Sequence, residues 1–591
     1  MRIGADTGGT FTDVVADDGS IAKVPSTPDD PGGAVRSAVA VLGRDARLLA
    51  HGTTVATNAL LERKGATVAL VTTQGLADVI EIGRQDRPSL YDGDRRRPEP
   101  LVSRARRVEI GGRLDATGAE LEPVDGDAPD VGDADAVAVC LLHADLNDAH
   151  EVAVAGALRA AGLDVTCSSE VAPEMREYER TVTTVVNAYL RPGCRDYLRG
   201  LHDAAGEVLV MTSAGGLVPI ERGAEVPAAL LLSGPAGGVQ AAAAVAVACG
   251  FPDAVTFDMG GTSTDVCLVL DGAPAPAAER FVAGFPVRLP SLDIHTIGAG
   301  GGSIARVDAG GALRVGPESA GAVPGPACYG RGGEAATVTD ADLVAGRIPA
   351  GAAFPGIGRL DVERARAALE QAGVSAEGVI AVVDAEMERA IRTVTVERGV
   401  DPRPLALVAF GGAGPLHACA LADAIGMAVV IVPPRAGVLS AVGLLCSPVQ
   451  RDLVRSWPVP SDHQGLDDAH VALAVQASRE VGGGATVELS LDCRYAGQSH
   501  ELTVAELGDF EDEHRRRNGY TRPGAPIEVV ALRARATVAA PLEVTGLPAP
   551  ARARVEGPAV AAEEDCTVWV PDGWVAEPGE VGAWILRRSR S

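Results

Sequence analysis

The chain has 591 residues, a formal net charge of −27, 47% hydrophobic residues and only 3% aromatic ones. That length calls for two to four domains, and the apolar share supplies a large aliphatic core. The negative charge argues against nucleic acid or anionic membranes as partners, and the scarcity of aromatics argues against base-stacking platforms.

The first residues run through an apolar start into Asp6-Thr7-Gly8-Gly9-Thr10-Phe11-Thr12-Asp13 and on into Val14-Val15-Ala16. The pattern predicts a strand, a Gly-Gly turn and a returning strand, which make a hairpin. Glycines let backbone N–H groups close on an anion, and a carboxylate before the turn can hold Mg²⁺ directly or through water. His51-Gly52-Thr53-Thr54-Val55-Ala56-Thr57-Asn58 then leads into a helix-like 59–64, a strand at 67–72 and a helix start near Gly75. Residues 84–113, rich in Gly, Pro and Arg and holding Arg95-Arg96-Arg97, read as a solvated excursion. A strand at 136–142 and a helix at 152–161 follow. Between them, His143 to His150 tempts a metal assignment, but Asn147 or Asp148 more simply caps the helix, with Glu151 in its first turn. Pro173 opens a helical stretch to about Leu190.

A second α/β half starts near Val208, and Ser233-Gly234-Pro235-Ala236-Gly237-Gly238 precedes an Ala-rich helix whose start suits an anion. Then Val255-Thr256-Phe257 runs into Asp258-Met259-Gly260-Gly261-Thr262-Ser263-Thr264-Asp265, which differs from the first motif only at Met259 and Ser263. Two such hairpins, one per half, give two phosphate-contacting arms that could close on one nucleotide. No G-x-x-x-x-G-K-[ST] loop is present. The run Gly298–Ser303 imitates a dinucleotide fingerprint, but 304–307 reads as a strand and the required helix is missing. Cys328, in a turn-rich segment, is expected to be a packed thiol. A strand at 406–410 feeds Gly411-Gly412-Ala413-Gly414 and a helix at 418–426. Beyond Trp457, strand-like pieces at 486–494, 527–538 and 567–570 predict a β-rich C-terminal region.

Ten cysteines without a C-x-x-C pair suit reduced thiols, and no apolar run approaches the ~20 residues that span a bilayer. The start enters a strand with no basic-then-apolar leader, so a cytoplasmic protein is expected.

Hairpin, hairpin, then strand–Gly-Gly-x-Gly–helix resembles the motif order of the sugar kinase/heat-shock/actin superfamily. The stretches 51–58, 293–303, 324–330, 410–417, 492–498 and the Trp574 region together resemble the A subunit of the hydantoinase/5-oxoprolinase/acetone carboxylase family. The resemblance implies an α/β fold of two actin-like (ribonuclease H-like) halves around a nucleotide cleft, at 1–190 and 191–456, with a β-rich region at 457–591. It implies ATP-dependent activation of the carbonyl oxygen of a lactam, hydantoin or ketone, with hydrolysis or carboxylation completed by a B-type subunit or domain. The chain is expected to end where an A subunit ends.

On this reading Asp6 and Asp258 are the Mg²⁺-linked catalytic carboxylates, since they end the strands leading into the turns. Gly8, Gly9, Thr10, Gly260, Gly261 and Thr262 donate to phosphates, Asp13 joins the nucleotide site, and Asp265 is structural. Gly411, Gly412 and Gly414 let adenine or ribose lie against the backbone. Asp293 and His295 belong to a glycine-rich substrate loop in which His295 polarises a carbonyl or binds metal; His51 is a similar candidate. The activity expected is ATP-dependent hydrolysis of a cyclic amide such as a hydantoin or 5-oxoproline, within a hetero-oligomer. The alternatives are a ketone carboxylase subunit, a chaperone- or reactivase-like ATPase, and a sugar kinase.

Overall fold

A computed structural model describes residues 1–589 except 9, 10, 28, 29, 43–45, 88, 90, 95, 355 and 356. Two large sheets repeat one strand order. In the first, Arg2–Thr7 pairs antiparallel with Phe11–Ala16, which pairs antiparallel with Ile21–Pro25. On its other side Arg2–Thr7 runs parallel to Leu48–Thr53, and that strand runs parallel to Val208–Met211. The second sheet builds the same set from Ala254–Met259, Thr264–Leu270, Ala273–Pro274, Ala406–Phe410 and Val429–Val432. The fold is therefore α/β with two actin-like halves. Leu48–Thr53, Ala406–Phe410 and Val429–Val432 are buried along their whole length, which explains the unbroken apolar runs of the last two: strands covered on both faces need no polar alternation.

Most strands after residue 456 extend these sheets. Thr486–Tyr495, Leu502–Val504 and Ile527–Val538 continue the first sheet through Val449–Ser456, whereas Trp574–Pro578 and Trp584–Arg588 continue the second beyond Val429–Val432. The long helix expected from Pro173 spans Glu177–Arg199, so residue 190 falls inside it. Cys194 and Leu198 carry the buried stripe past Pro192. A smaller parallel sheet of Arg107–Ile110, Val68–Thr73, Ala136–Cys140 and Asp164–Cys167 carries its own core around Val71, Val139 and Leu158.

Two helices lie between the large sheets. Ser233–Ala248 begins at the Gly-rich run itself and packs against Leu439–Cys446. A Cβ on Gly443 would overlap the Gly237 carbonyl, so the helix backbones meet directly; this close approach accounts for glycines that would otherwise weaken a helix by about 1 kcal/mol each. Around the crossing, Ala50 and Met211 of the first sheet share a core with Val239, Leu444 and Cys267. Elsewhere a buried ion network ties the C-terminal strands to the rest. Glu174 accepts from Arg288 Nε and from Arg533 Nη2, each at 2.9 Å, Arg533 also meets Asp492, and Arg288 also meets Glu501.

Candidate active site

Both hairpin turns open into one cavity of about 430 Å³. Asp6 stands opposite Asp13 and Asp258 opposite Asp265, and directly opposed residues share a sheet face; all four carboxylates line the cavity. The turns close alike, Gly8 N donating to Phe11 O and Gly260 N to Ser263 O, each at 3.0 Å. Gly8, Gly260, Gly261, Thr262, Gly411 and Gly412 line the same cavity. Gly9 and Thr10 lie outside the described residues. Gly414 starts the helix Gly414–Ile425 and is buried behind the wall. Gly411 must be glycine twice over: its φ is +79°, and a Cβ would overlap the Asp258 carboxylate.

Crowding sets the electrostatics. Burial, then the charge of Asp13, raises Asp6 to about 7. Burial, then Asp265 and Asp6, holds Asp258 well above the usual carboxylate range. Burial lifts Asp265 to about 6 even though Thr296 Oγ1 donates to it at 2.5 Å. Asp13 is also raised by burial, against the pull of Lys23 Nζ at 2.9 Å. Among the described residues lining the cavity, Lys23 is the one cationic side chain. Asp6 Oδ1 is buried and accepts no hydrogen bond. Crowded, unsatisfied carboxylate oxygens fit a hard divalent cation such as Mg²⁺.

The glycine loop has a different job from the one expected. Gly301 N donates to Gly260 O at 3.0 Å, Gly302 N to Gly261 O at 2.7 Å, and Thr264 Oγ1 to Ala299 O at 2.6 Å. A Cβ on Gly300 would stand 2.8 Å from Gly261 C and Ser263 N. The loop is a backbone brace for the second turn, and Gly301 and Gly302 reach the cavity wall. The structure does not bring Asp293 and His295 to the cavity. On the strand Ile294–Ile297, Thr296 pairs with Asp265 and His295 with Val266. The two-residue period of a strand puts Thr296 on the side of Asp265, where it stays exposed, and sends His295 to the opposite face. Asp293 forms an ion pair with Arg398.

The other sequence candidates lie outside the cavity lining. His51 is fully buried, with Nδ1 3.0 Å from Ala5 O and Nε2 2.7 Å from Tyr197 Oη, and burial lowers its pKa to about 4. Cys328 is buried and its thiol is pushed far up by burial. His143, Asp145 and Glu177 do converge, but Asp145 Oδ1 accepts from buried Arg180 at 2.6 Å. Asp148 is the N-cap of the helix Ala149–Ala160 but makes no side-chain cap bond; Asn147 before it accepts from Ala149 N, and Glu151 is a buried acceptor for Leu141 N, Ser168 Oγ and Ser169 N. In the basic run, Arg95 lies outside the described residues and Arg97 pairs with Asp86 at 2.6 Å. A larger cavity of about 800 Å³, walled by Asp145, Arg222 and Trp457 among others, touches neither hairpin.

Family models for the hydantoinase/oxoprolinase N-terminal region and for hydantoinase/oxoprolinase match residues 2–162 and 180–453. The caprolactamase subunit alpha of Pseudomonas jessenii is 38% identical over 90% of this chain and 86% of its own length. The chain belongs to the hydantoinase/oxoprolinase family. Its likeness to 5-oxoprolinase 1 of Arabidopsis thaliana is 34% over 85% of this chain but 46% of that protein, so the hydantoinase/oxoprolinase chain spans about half of that relative. The crystal structure of the ATP-dependent caprolactamase from Pseudomonas jessenii superposes with a TM-score of 0.85 at 32% identity, both chains being covered in full. A nucleotide-free acetone carboxylase structure shares the fold, with a TM-score of 0.78 at 23% identity, covering 100% of this chain and 99% of the other. As a hydantoinase/oxoprolinase member the chain is an enzyme. No described helix is long and apolar enough to cross a membrane.

Sequence reasoning missed several cavity residues of this hydantoinase/oxoprolinase chain. Lys23 was within reach: it pairs with Asp13 across the Ile21–Pro25 strand, so extending the predicted hairpin by one strand finds it. Thr296 lies outside the lining but donates to Asp265 there, and finding it needed the strand register. Gly437, whose N–H donates to Asp565 at 2.7 Å, and the segment 562–567 come from distant sequence and leave no local signal.

Proposed function

We propose that this chain uses ATP to activate the carbonyl oxygen of a cyclic amide, as the A-type subunit of a hydantoinase/oxoprolinase-type complex. The observation that carries the reading is the pair of equivalent hairpins aiming four raised carboxylates and two Gly-rich turns into one cavity. In this account Asp6 and Asp258 hold Mg²⁺, which when bound neutralises phosphate charge. The second turn at Gly261 and Thr262 donates N–H groups to the phosphates, and Lys23 offsets charge beside Asp13. The backbone at Gly411 and Gly412 admits the nucleoside. Asp293 and His295 receive no role in this chemistry.

The amide oxygen attacks the γ-phosphorus, the bond to ADP breaks, and an imidate phosphate forms. Water then adds to the former carbonyl carbon and the C–N bond opens to leave an acyl phosphate; a second water attacks the acyl carbon, giving the carboxylate and releasing phosphate that carries the original amide oxygen. The chain's residues supply positioning and charge for the first step, which is most of what phosphoryl transfer requires. A B-type partner is assigned the second; the relatives described as subunits and the longer 5-oxoprolinase support a two-part machine. The caprolactamase and 5-oxoprolinase relatives support a cyclic amide as substrate. The acetophenone carboxylase gamma subunit of Aromatoleum aromaticum, 34% identical over 75% of this chain and 67% of its own length, supports ketone activation as the second reading. Ten free cysteines suit a reducing cytoplasm.

The test is ATP turnover by the purified chain, alone and with its partner subunit, against caprolactam, 5-oxoproline, hydantoin and acetophenone. Stimulation by a cyclic amide, with ring opening only when the partner is present, is the expected result. Stimulation by the ketone alone favours the second reading, and stimulation by none of them contradicts both.

A further inference from the structure

One buried carboxylate in the cavity wall takes no part in the steps above. Asp342, on the helix Val338–Val344, is 1% exposed and lines the cavity, yet neither carboxylate oxygen accepts a hydrogen bond. Its charge is nonetheless balanced. His417 Nε2 lies 3.3 Å from Oδ2 and Arg347 Nη1 3.9 Å from Oδ1, close enough for attraction but not placed as hydrogen-bond donors. His417 is fully buried, and its Nδ1 meets Asp384 Oδ1 at 2.7 Å. Burial opposes the imidazolium, but Asp342 and Asp384 outweigh it and lift His417 to about 9. At neutral pH, then, a fixed cation stands behind Asp342, whose acceptor capacity is unspent.

The cavity has two unlike ends. One holds the four hairpin carboxylates. Around Asp342 the walls are Tyr329, Ile348, Phe354 and Leu416, with the backbone of Gly412 and Ala413. A nucleotide has the same two ends: a metal-bound polyanion, and a flat, largely apolar nucleoside that carries O–H and N–H donors. A buried acceptor in an apolar slot strongly favours a ligand that supplies the missing donor. We propose that Asp342 accepts a hydrogen bond from the nucleoside end of the bound nucleotide, from a ribose hydroxyl or the exocyclic amine of adenine, with His417 and Asp384 as positioning residues. This inference rests on the reading that ATP occupies this cavity.

The experiment is calorimetric binding to the full chain of Mg-ATP, its 2′-deoxy and 3′-deoxy analogues, Mg-ITP (6-oxo in place of the amine) and Mg-tripolyphosphate. Wild-type protein is expected to bind ATP about tenfold to a hundredfold tighter than the analogue lacking the donor that Asp342 reads. A deoxy analogue identifies the sugar and ITP the base. Asp342→Asn should erase that preference and leave tripolyphosphate binding unchanged, which also serves as its folding control. His417→Gln should narrow the same preference, again without moving tripolyphosphate. Equal wild-type affinity for ATP and all three analogues overturns the inference even if the Asp342→Asn protein cannot be prepared. So does an Asp342→Asn protein that discriminates as wild type does, or one that loses only affinity for the cyclic amide. If wild type binds tripolyphosphate and ATP not at all, the ATP reading itself fails.

Discussion

Asp258 and Asp265 stand directly opposite each other across the second hairpin, on the face that looks into the cavity, and Asp6 and Asp13 repeat the relation on the first. Holding buried like charges together costs folding free energy, and a site that needs a cation explains why the arrangement is kept.

Asp258→Asn should therefore separate function from stability. ATP turnover is expected to fall about 10³-fold or more, since a carboxylate for metal and phosphate positioning is gone. Thermal stability should hold or rise, because the substitution removes one charge from a crowded cluster. Turnover near the wild-type rate, or a protein unfolded by circular dichroism, would contradict the assignment.

Gly411→Ala and Gly300→Ala probe two different steric limits. At Gly411 the methyl meets the Asp258 carboxylate and the backbone has φ +79°, so a stability loss of more than about 1 kcal/mol and loss of ATP binding are expected. At Gly300 the methyl presses on the turn around Gly261 and Ser263, so weaker ATP binding should accompany a smaller change in melting temperature. An unchanged ATP affinity in the Gly300→Ala protein would remove the loop's bracing role.

Much of this was legible in the sequence, and the limits have physical causes. The hairpins were readable because a Gly-Gly turn between β-branched runs is a local signal. The strand expected at 486–494 is observed at Thr486–Tyr495, and 527–538 and 567–570 are observed with the expected bounds. Their sheet partners were not readable, because Val449–Ser456 and Ile527–Val538 find each other across about 80 residues by register alone. His295 was misplaced for a similar reason: its residue type suggested chemistry, but strand parity put Thr296, not His295, on the side of Asp265. Asp342 left no trace, since its meaning depends on His417 and Asp384 arriving from two other helices.

Arg288→Ala should cost about 3–5 kcal/mol, because it takes one cation from buried Glu174 and half-buried Glu501 and removes an anchor between the C-terminal strands and the rest. Chemical denaturation of the variant checks the value. A cost below about 1 kcal/mol would mean that Arg533 and Arg176 compensate.

His417 also predicts a pH dependence. Its folded pKa of about 9 lies above the ordinary 6.5, so its stabilisation is fully present below pH 6.5 and fades as pH rises through about 9. The full effect is on the order of 3 kcal/mol. Denaturation midpoints measured from pH 6 to 10 should fall in wild type and fall less steeply in His417→Gln, since the raised Asp6 and Asp258 add the same slope to both proteins. Parallel curves for the two proteins would contradict the charged assignment.

The central claim is that the amide oxygen itself receives the phosphoryl group. It is tested most directly by giving the enzyme, with its partner subunit, a cyclic amide labelled with ¹⁸O in the carbonyl and following the label by mass spectrometry. The account predicts one ¹⁸O atom in the inorganic phosphate for each ring opened. Label retained in the carboxylate of the opened product, with phosphate carrying none, would contradict it.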